Sequence, residues 1–327
     1  MSAQGTVVIT GASRGLGLAT ATHLHGRGWR VIAAMRSPEV GLARLRAATG
    51  AGGDDPRLVG TRLDLEDAAS IVDLAASVTD AFGPPDAVVH NAGMAAVGVV
   101  EEMPDEVWRR VFQTNLFGPV LLTKELLPSM RAAGRGRFVI LSSQGGISGM
   151  ATAAAYAGVK SAIDRWAEAL AGEIAPFGLG VTLLVPGAFT TDILEETVAH
   201  TDPDGPYGGL SADLEVRGRR MLRFAAPPER FAPAVERALH ERAPFTRHAV
   251  GRDAHLMLQG SRLMPARAMH RLLAVAMGLP RPGSLRSDTP APPGSLRSDT
   301  PAPPGSLRSD TPAPFTPPTG ASEERAP

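Results

Sequence analysis

The chain has 327 residues, a formal net charge of zero at neutral pH and no cysteine. Zero net charge argues against nucleic acid or an anionic membrane as the main partner, and the lack of cysteine rules out a disulfide framework or a thiolate site. The start, MSAQGTVVIT, has neither the basic nor the apolar region of a secretory signal, and no apolar run is long enough to span a bilayer. A cytoplasmic protein without an integral membrane segment is expected.

The first predicted element is the β-branched run TVVIT, a short strand. It runs into TGASRGLG, where Gly11, Gly15 and Gly17 open a helix. Glycines at a strand–helix junction allow a tight turn, close approach of backbone to a pyrophosphate, and anion binding at the helix N-terminus. The spacing G-x-x-x-G-x-G departs from the G-x-G-x-x-G dinucleotide pattern. GLGLATATHLHGRGW has helical spacing, and RVIAAM reads as the next strand. An NAD-type site wants an acid at the end of this strand. Here Ala34 and Met35 are followed by Arg36, with Arg14 inside the glycine turn. Two guanidiniums suit a 2′-phosphate, which predicts NADP(H) over NAD(H). The alternative for Arg36 is a solvated arginine.

DAASIVDLAASVTDAF is amphipathic, with Ile71, Leu74, Val78 and Phe82 on one face. DAVVH, a helical stretch from about Pro104 to Met130, RFVILSS, a further helix and VTLLVPG follow. Apolar strands separated by helices predict an α/β fold: a doubly wound, Rossmann-type parallel sheet of about seven strands, covered by helices on both faces. The helix AAAYAGVKSAIDRWAEAL holds one of two tyrosines, Tyr156, and one of two lysines, Lys160. Four residues apart, they share a helix face. Alone, the pair also fits a packed aromatic over a snorkelling lysine. Beyond about Leu279 the composition changes. PGSLRSDTPAP occurs three times in tandem from Pro282 to Pro314, with one leucine per repeat and no aromatic residue. Such a repeat buries too little to offset its ordering entropy, and its prolines exclude an eleven-residue coiled coil. A single domain over residues 1–280 and a disordered Pro-rich tail over 281–327 are expected. Partner binding through extended Pro-rich conformations is the alternative role for the tail.

TGASRGLG, LDL at Leu63–Leu65, HNAG at His90–Gly93, TNLFG around Asn115, LSSQGG with Ser143, YAGVK and VPGAFTTD occur in that order. This series resembles the compact, single-domain short-chain dehydrogenase/reductase family, with motifs over about residues 5–195. The resemblance implies Tyr156 as general acid in carbonyl reduction and base in alcohol oxidation. It implies Lys160 as the cation that favours the phenolate and binds the nicotinamide ribose. Ser143 would hold the substrate oxygen, and Asn115 would place a water linking Lys160 to solvent. A kink or cap is the structural alternative for Asn115. The implied cofactor-binding positions in the first turn and second strand are Gly11, Ser13, Arg14, Gly15, Leu16, Gly17 and Arg36. Further along they are Asp64 and Leu65, then Asn91, Ala92 and Gly93, and finally Pro186, Gly187 and Thr191. His90 stands where the family usually has asparagine, and a neutral, packed or hydrogen-bonded imidazole is expected there.

The family also implies a substrate lid, here about 192–226, flanked by Ile193, Leu194, Val198, Leu214, Met221, Leu222 and Phe224. Val97 to Val100 and Met150 would line the other side. These side chains suit a small apolar carbonyl compound or alcohol, and equally suit a core. VIAAMRSPE with the stretch VGRDAHLMLQGSRLMPARAMHRLLAVAMGL is similar to bacterial members related to retinol- and hydroxysteroid-type dehydrogenases. That amphipathic stretch would cover the cavity, touch a membrane surface, or pack in the core or a dimer. The resemblance implies a homodimer or homotetramer. A non-catalytic NADP(H)-binding redox sensor is the competing function. The intact set Ser143, Tyr156 and Lys160 favours the enzyme.

Overall fold

The computed structural model describes residues 4–191 and 199–285. Ile193, Leu194 and Val198 of the expected lid, the Met221 side chain, and the repeats from Arg286 onward lie outside it. The first half runs β1 (Thr6–Thr10), α1 (Gly15–Gly26), β2 (Arg30–Met35), α2 (Pro38–Thr49), β3 (Leu58–Arg62) and α3 (Ala68–Phe82). It continues with β4 (Ala87–His90), β5 (Val97–Gly98), α4 (Asp105–Phe112), a π-helical turn (Gln113–Phe117) and α5 (Gly118–Ala133). The second half runs β6 (Gly136–Leu141), α6 (Gln144–Ile147), α7 (Ala154–Ile174), β7 (Leu179–Pro186), β8 (Ala199–His200) and α8 (Gly208–Leu222). It closes with α9 (Ala232–Leu239), β9 (Phe245–Val250), α10 (Arg252–Leu263) and α11 (Ala266–Met277). These elements belong to one compact unit that ends at Pro282.

Seven strands form one parallel sheet in the order β3-β2-β1-β4-β6-β7-β9. This is the expected doubly wound architecture. Side chains alternate across the sheet and build a core on each face. Val8, Ile32, Val88 and Phe138 pack with Ile71 and Leu74 of α3, Leu122 of α5 and Ile163 of α7. Val7, Ile9, Val31 and Val139 pack with Leu24 of α1, Leu45 of α2 and Val235 of α9 on the other face. The predicted stripe on α3 is confirmed, with Ile71, Leu74 and Val78 buried and Phe82 against the same core. β5 and β8 form a separate two-stranded pair. Among the described residues, no helix is long and apolar enough to cross a membrane.

The winding direction reverses between β1 and β4. In open parallel sheets the crevice outside the C-terminal ends of the strands at this reversal is where ligands bind. The sheet therefore brings the glycine turn after β1, the loop after β4, the serine turn after β6 and the loop after β7 to one edge.

Candidate active site

The glycine turn is packed so tightly that its residue types follow from geometry. Gly11 and Gly15 have φ of +68° and +53°, which favour glycine. A Cβ built on Gly17 would stand 2.2 Å from the Gly11 carbonyl oxygen and 2.5 Å from Asn91 Nδ2. Asn91 Nδ2 donates to the carbonyls of Thr10, at 2.8 Å, and Gly11, at 3.2 Å. Thr10 Oγ1 accepts from the backbone N–H groups of Asn91 and Ala92, both at 3.0 Å. Thr10, which the motif reading passed over, thus ties the ends of β1 and β4 together. Thr191 faces the turn, its methyl 3.4 Å from where a Gly15 Cβ would be. No acidic residue occupies the first turn of α1, whose N-cap is Arg14. The result is a cradle that side chains would fill, at a helix N-terminus suited to an anion.

The other expected cofactor positions divide by environment. Arg14 is half-buried, and Arg36 is exposed just past β2. Ser13 packs beside Gly41 of α2. The side chain of Leu16 lies against one core and that of Leu65 is buried in the other, so backbone is what these two offer a ligand. Asp64 closes its own turn, its carboxylate accepting from the Glu66 N–H at 3.0 Å while its N–H donates to Ser70 Oγ at 3.0 Å.

The serine turn and α7 carry the reactive hydroxyls. Ser143 caps α6, its Oγ accepting from the Gly145 N–H at 3.2 Å. Tyr156, on the first turn of α7, shares this corner: a Cβ built on Gly145 would stand 3.5 Å from the Tyr156 ring and 3.7 Å from Ser143 Oγ. Lys160, one turn on, is buried; its Nζ donates to the Leu141 carbonyl at 3.0 Å and lies 5.6 Å from the centroid of the Tyr156 ring. Burial pushes the Tyr156 phenol above its ordinary pKa, against the lowering effect of the Ser143 hydroxyl. Burial also lowers Lys160 to about 8, against the charge of Asp164. Burial and the Ser143 hydroxyl, rather than Lys160, are the causes of the phenol's shift. The ammonium is engaged by Leu141, and desolvation dominates at the ring.

Asn115 sits in the π-helical turn. Its Nδ2 donates to the carbonyls of Met94 and Val111, both at 2.8 Å, so the structural role is present. Its Oδ1 is buried and has no partner. A Cβ on Gly93 would stand 2.7 Å from that oxygen and 3.8 Å from Lys160 Nζ, so a glycine there leaves room between the two. A buried acceptor without a protein donor is a place that a water or ligand donor would satisfy.

Asp164 is a further residue that the motifs did not single out. Four residues past Lys160 on α7 and buried, it accepts from Ser142 Oγ and is paired with Arg247 of β9. The spacing 156, 160, 164 is the signal that would have found it. His90 is buried, lies parallel to Phe138 with centroids 6.1 Å apart, and bonds Thr123 Oγ1 through Nε2 at 2.9 Å. Burial lowers its pKa to about 3, so it is the neutral, packed imidazole expected from the sequence.

A cavity of about 420 Å³ lies beside α7, lined by Gly98, Val99, Val100, Met150, Thr152 and Tyr207 among others. Of the expected wall, Gly98, Val99, Val100 and Met150 line this cavity and Val97 does not. Tyr207 donates to Glu101 Oε2 at its rim, at 2.9 Å. Thr152 holds φ of +65°, strained for a β-branched residue, in the loop between Ser143 and Tyr156. The lid residues fare differently. Leu214 is buried in α8, whereas Leu222 is exposed and Phe224 is 90% exposed, so these two do not line the cavity. They follow the inward-facing part of α8.

Residues 5–202 match the family model described as short chain dehydrogenase. The chain belongs to the short-chain dehydrogenase/reductase family and is an oxidoreductase of that family. A stretch of 193 residues is 36% identical to the uncharacterized oxidoreductase YusZ of Bacillus subtilis, covering 59% of this chain and 68% of that one. A solved short-chain dehydrogenase from Streptomyces avermitilis superposes with a TM-score of 0.71 at 33% identity, over 86% of this chain and 99% of the other. A variant of actinorhodin polyketide ketoreductase, solved with NADPH, gives a TM-score of 0.64 at 28% identity, over 77% of this chain and 98% of the other.

Proposed function

We propose that this oxidoreductase is NADP(H)-dependent and moves a hydride between nicotinamide and an apolar carbonyl compound or its secondary alcohol. Tyr156 serves as the proton donor in reduction and the acceptor in oxidation. The observation that carries this reading is the gathering of Ser143 and Tyr156 around Gly145, with Lys160 buried one helical turn behind and its Nζ 5.6 Å from the Tyr156 ring centroid.

The glycine cradle and the N-terminus of α1 fit a dinucleotide diphosphate. The absence of an acid at Ala34 and Met35, with Arg36 next and Arg14 in the turn, supports a 2′-phosphate. The NADPH held by the actinorhodin ketoreductase relative points the same way. When bound, NADP(H) supplies the hydride chemistry. The chain's own groups do the rest. Ser143 Oγ and the Tyr156 hydroxyl bind the substrate oxygen and stabilise charge developing there. A phenol raised by burial is protonated at neutral pH, which equips it to donate a proton to a carbonyl. Oxidation needs the phenolate, so the oxidation rate rises with pH. Asn115 Oδ1, beside Lys160, supplies an acceptor for the route that restores the proton. The cavity beside α7 has largely apolar walls and suits an apolar substrate. Homo-oligomer formation belongs to the same reading, and the solvent-facing groove holding Trp108, Phe112 and Phe117 supports it.

The deciding experiment follows NADPH and NADH oxidation by absorbance over apolar ketones and aldehydes, steroid- and retinoid-type compounds included, with Tyr156→Phe beside the native protein. Turnover is expected with NADPH, falling about 10²–10⁴-fold in the variant. Unchanged turnover in the variant would sink the mechanism. NADPH binding with a silent panel would leave a substrate outside the panel or the redox-sensor reading.

A further inference from the structure

We propose that Asp253, on the first turn of α10, is a positioning residue that locks the loop after β7 to the serine turn and thereby shapes the nicotinamide side of the site. The proposal rests on the reading of this edge as an NADP(H) site. One carboxylate oxygen makes both links. Oδ2 accepts from the Ala188 N–H at 2.7 Å and from Gln144 Nε2 at 2.6 Å. Ala188 follows Pro186 and Gly187. Gln144 follows Ser143 directly. The two partners lie 65 and 109 residues from Asp253 in the chain. The carboxylate thus bridges the residue after Ser143 to the loop after β7.

The second oxygen occupies the space of an absent side chain. A Cβ built on Gly187 would stand 2.0 Å from Asp253 Oδ1. Gly187 is therefore a glycine because Asp253 is there. The backbone delivers the carboxylate to this place. Pro186 pairs with Val250 at the end of β9, and the Gly187 N–H donates to the Val250 carbonyl at 2.8 Å. Gly251, with φ of +111°, then turns the chain so that α10 starts beneath the loop. An acid in a helix's first turn is favoured by the helix dipole, and charge-assisted hydrogen bonds are the stronger kind.

Anchoring α10 does not require this residue. Ala254 and Leu258 are the buried side chains of the helix, while Asp253 itself is exposed. On the other side of Ser143, Ser142 is tied to the buried Asp164. Ser143 is thus held through both chain neighbours, from α7 on one side and from α10 on the other.

The test compares native protein, Asp253→Ala and Asp253→Asn by NADPH fluorescence titration, steady-state kinetics and cofactor-free melting. Asparagine keeps one oxygen able to accept both hydrogen bonds. Alanine is expected to raise the Kd and KM for NADPH about tenfold, with little change in cofactor-free Tm. Asparagine should stay within about threefold of native. Gly187→Ala supplies the second arm. It should weaken NADPH binding strongly in the native background and much less in Asp253→Ala, where the clashing oxygen is gone. Native NADPH affinity in Asp253→Ala would overturn the inference alone, as would equal effects of Gly187→Ala in both backgrounds. Native protein that binds neither NADPH nor NADH would overturn the site reading and the inference with it.

Discussion

His90 shows how burial, which spacing does not reveal, decides the behaviour of a residue. Its ring lies between Phe138 and Trp166, and Nδ1 has no partner. Burial holds its pKa at about 3, against an ordinary 6.5. Between those values the unfolded chain binds a proton that the folded chain refuses. Stability from this group is complete above about 6.5 and is lost as pH falls toward 3, by up to about 1.4 kcal/mol per unit. His90→Asn is therefore expected to flatten the fall of unfolding free energy between pH 6 and pH 4, measured by urea titration at several pH values. Parallel slopes for native and variant would refute it. The same limit applies at Tyr156. The spacing of Ser143, Tyr156 and Lys160 was legible in the sequence because helix periodicity and motif order encode it. The direction of the phenol's shift was not, because it depends on what surrounds the ring. Thr10, Asp164 and Asp253 were missed for a related reason: each acts through a partner distant in sequence.

Among elements, those with a continuous apolar run or a clean helical stripe were legible: β1, β2, β4, β6 and β7 as strands, α3 and α7 as helices. β3 (LVGTR) and β9 (FTRHAV) were not named as strands. They are the two edges of the sheet, half-exposed, and an edge strand needs no unbroken apolar run. The stretch after Pro104 reads as one helix, yet a π-helical turn interrupts it at Gln113–Phe117. The cause is a side chain. Asn115 Nδ2 takes up the Val111 carbonyl, four residues back, and bridges to Met94. Such turns often mark functional sites. Asn115→Ala would leave both carbonyls without that donor. The variant is expected to lose about 1–3 kcal/mol of stability even without cofactor, measured by urea denaturation. A variant as stable as native would show that the turn holds itself without these two hydrogen bonds.

At the scale of the whole molecule, one sheet with a core on each face and its site at the reversal point accounts for the described chain to Pro282. The tandem repeats lie almost wholly outside the described residues, so their contribution is argued from composition. Each repeat has eleven residues, one leucine and no aromatic side chain. Ordering backbone takes about 1–2 kcal/mol per residue, so one repeat needs about ten kcal/mol or more. Full burial of its leucine returns about 1.5–3 kcal/mol. The deficit is several-fold, and the prolines remove backbone donors that would help close it. A chain ending at Leu285 is therefore expected to melt within about a degree of the full chain, because the repeat composition offers too little burial to add stability. Its NADPH affinity and its turnover should match as well, since every group placed at the site lies between Thr10 and Asp253. Calorimetry and titration on both lengths decide the matter. A truncated chain that melts several degrees lower would mean the tail is held by the domain, its ordering offset by contacts its composition does not foretell.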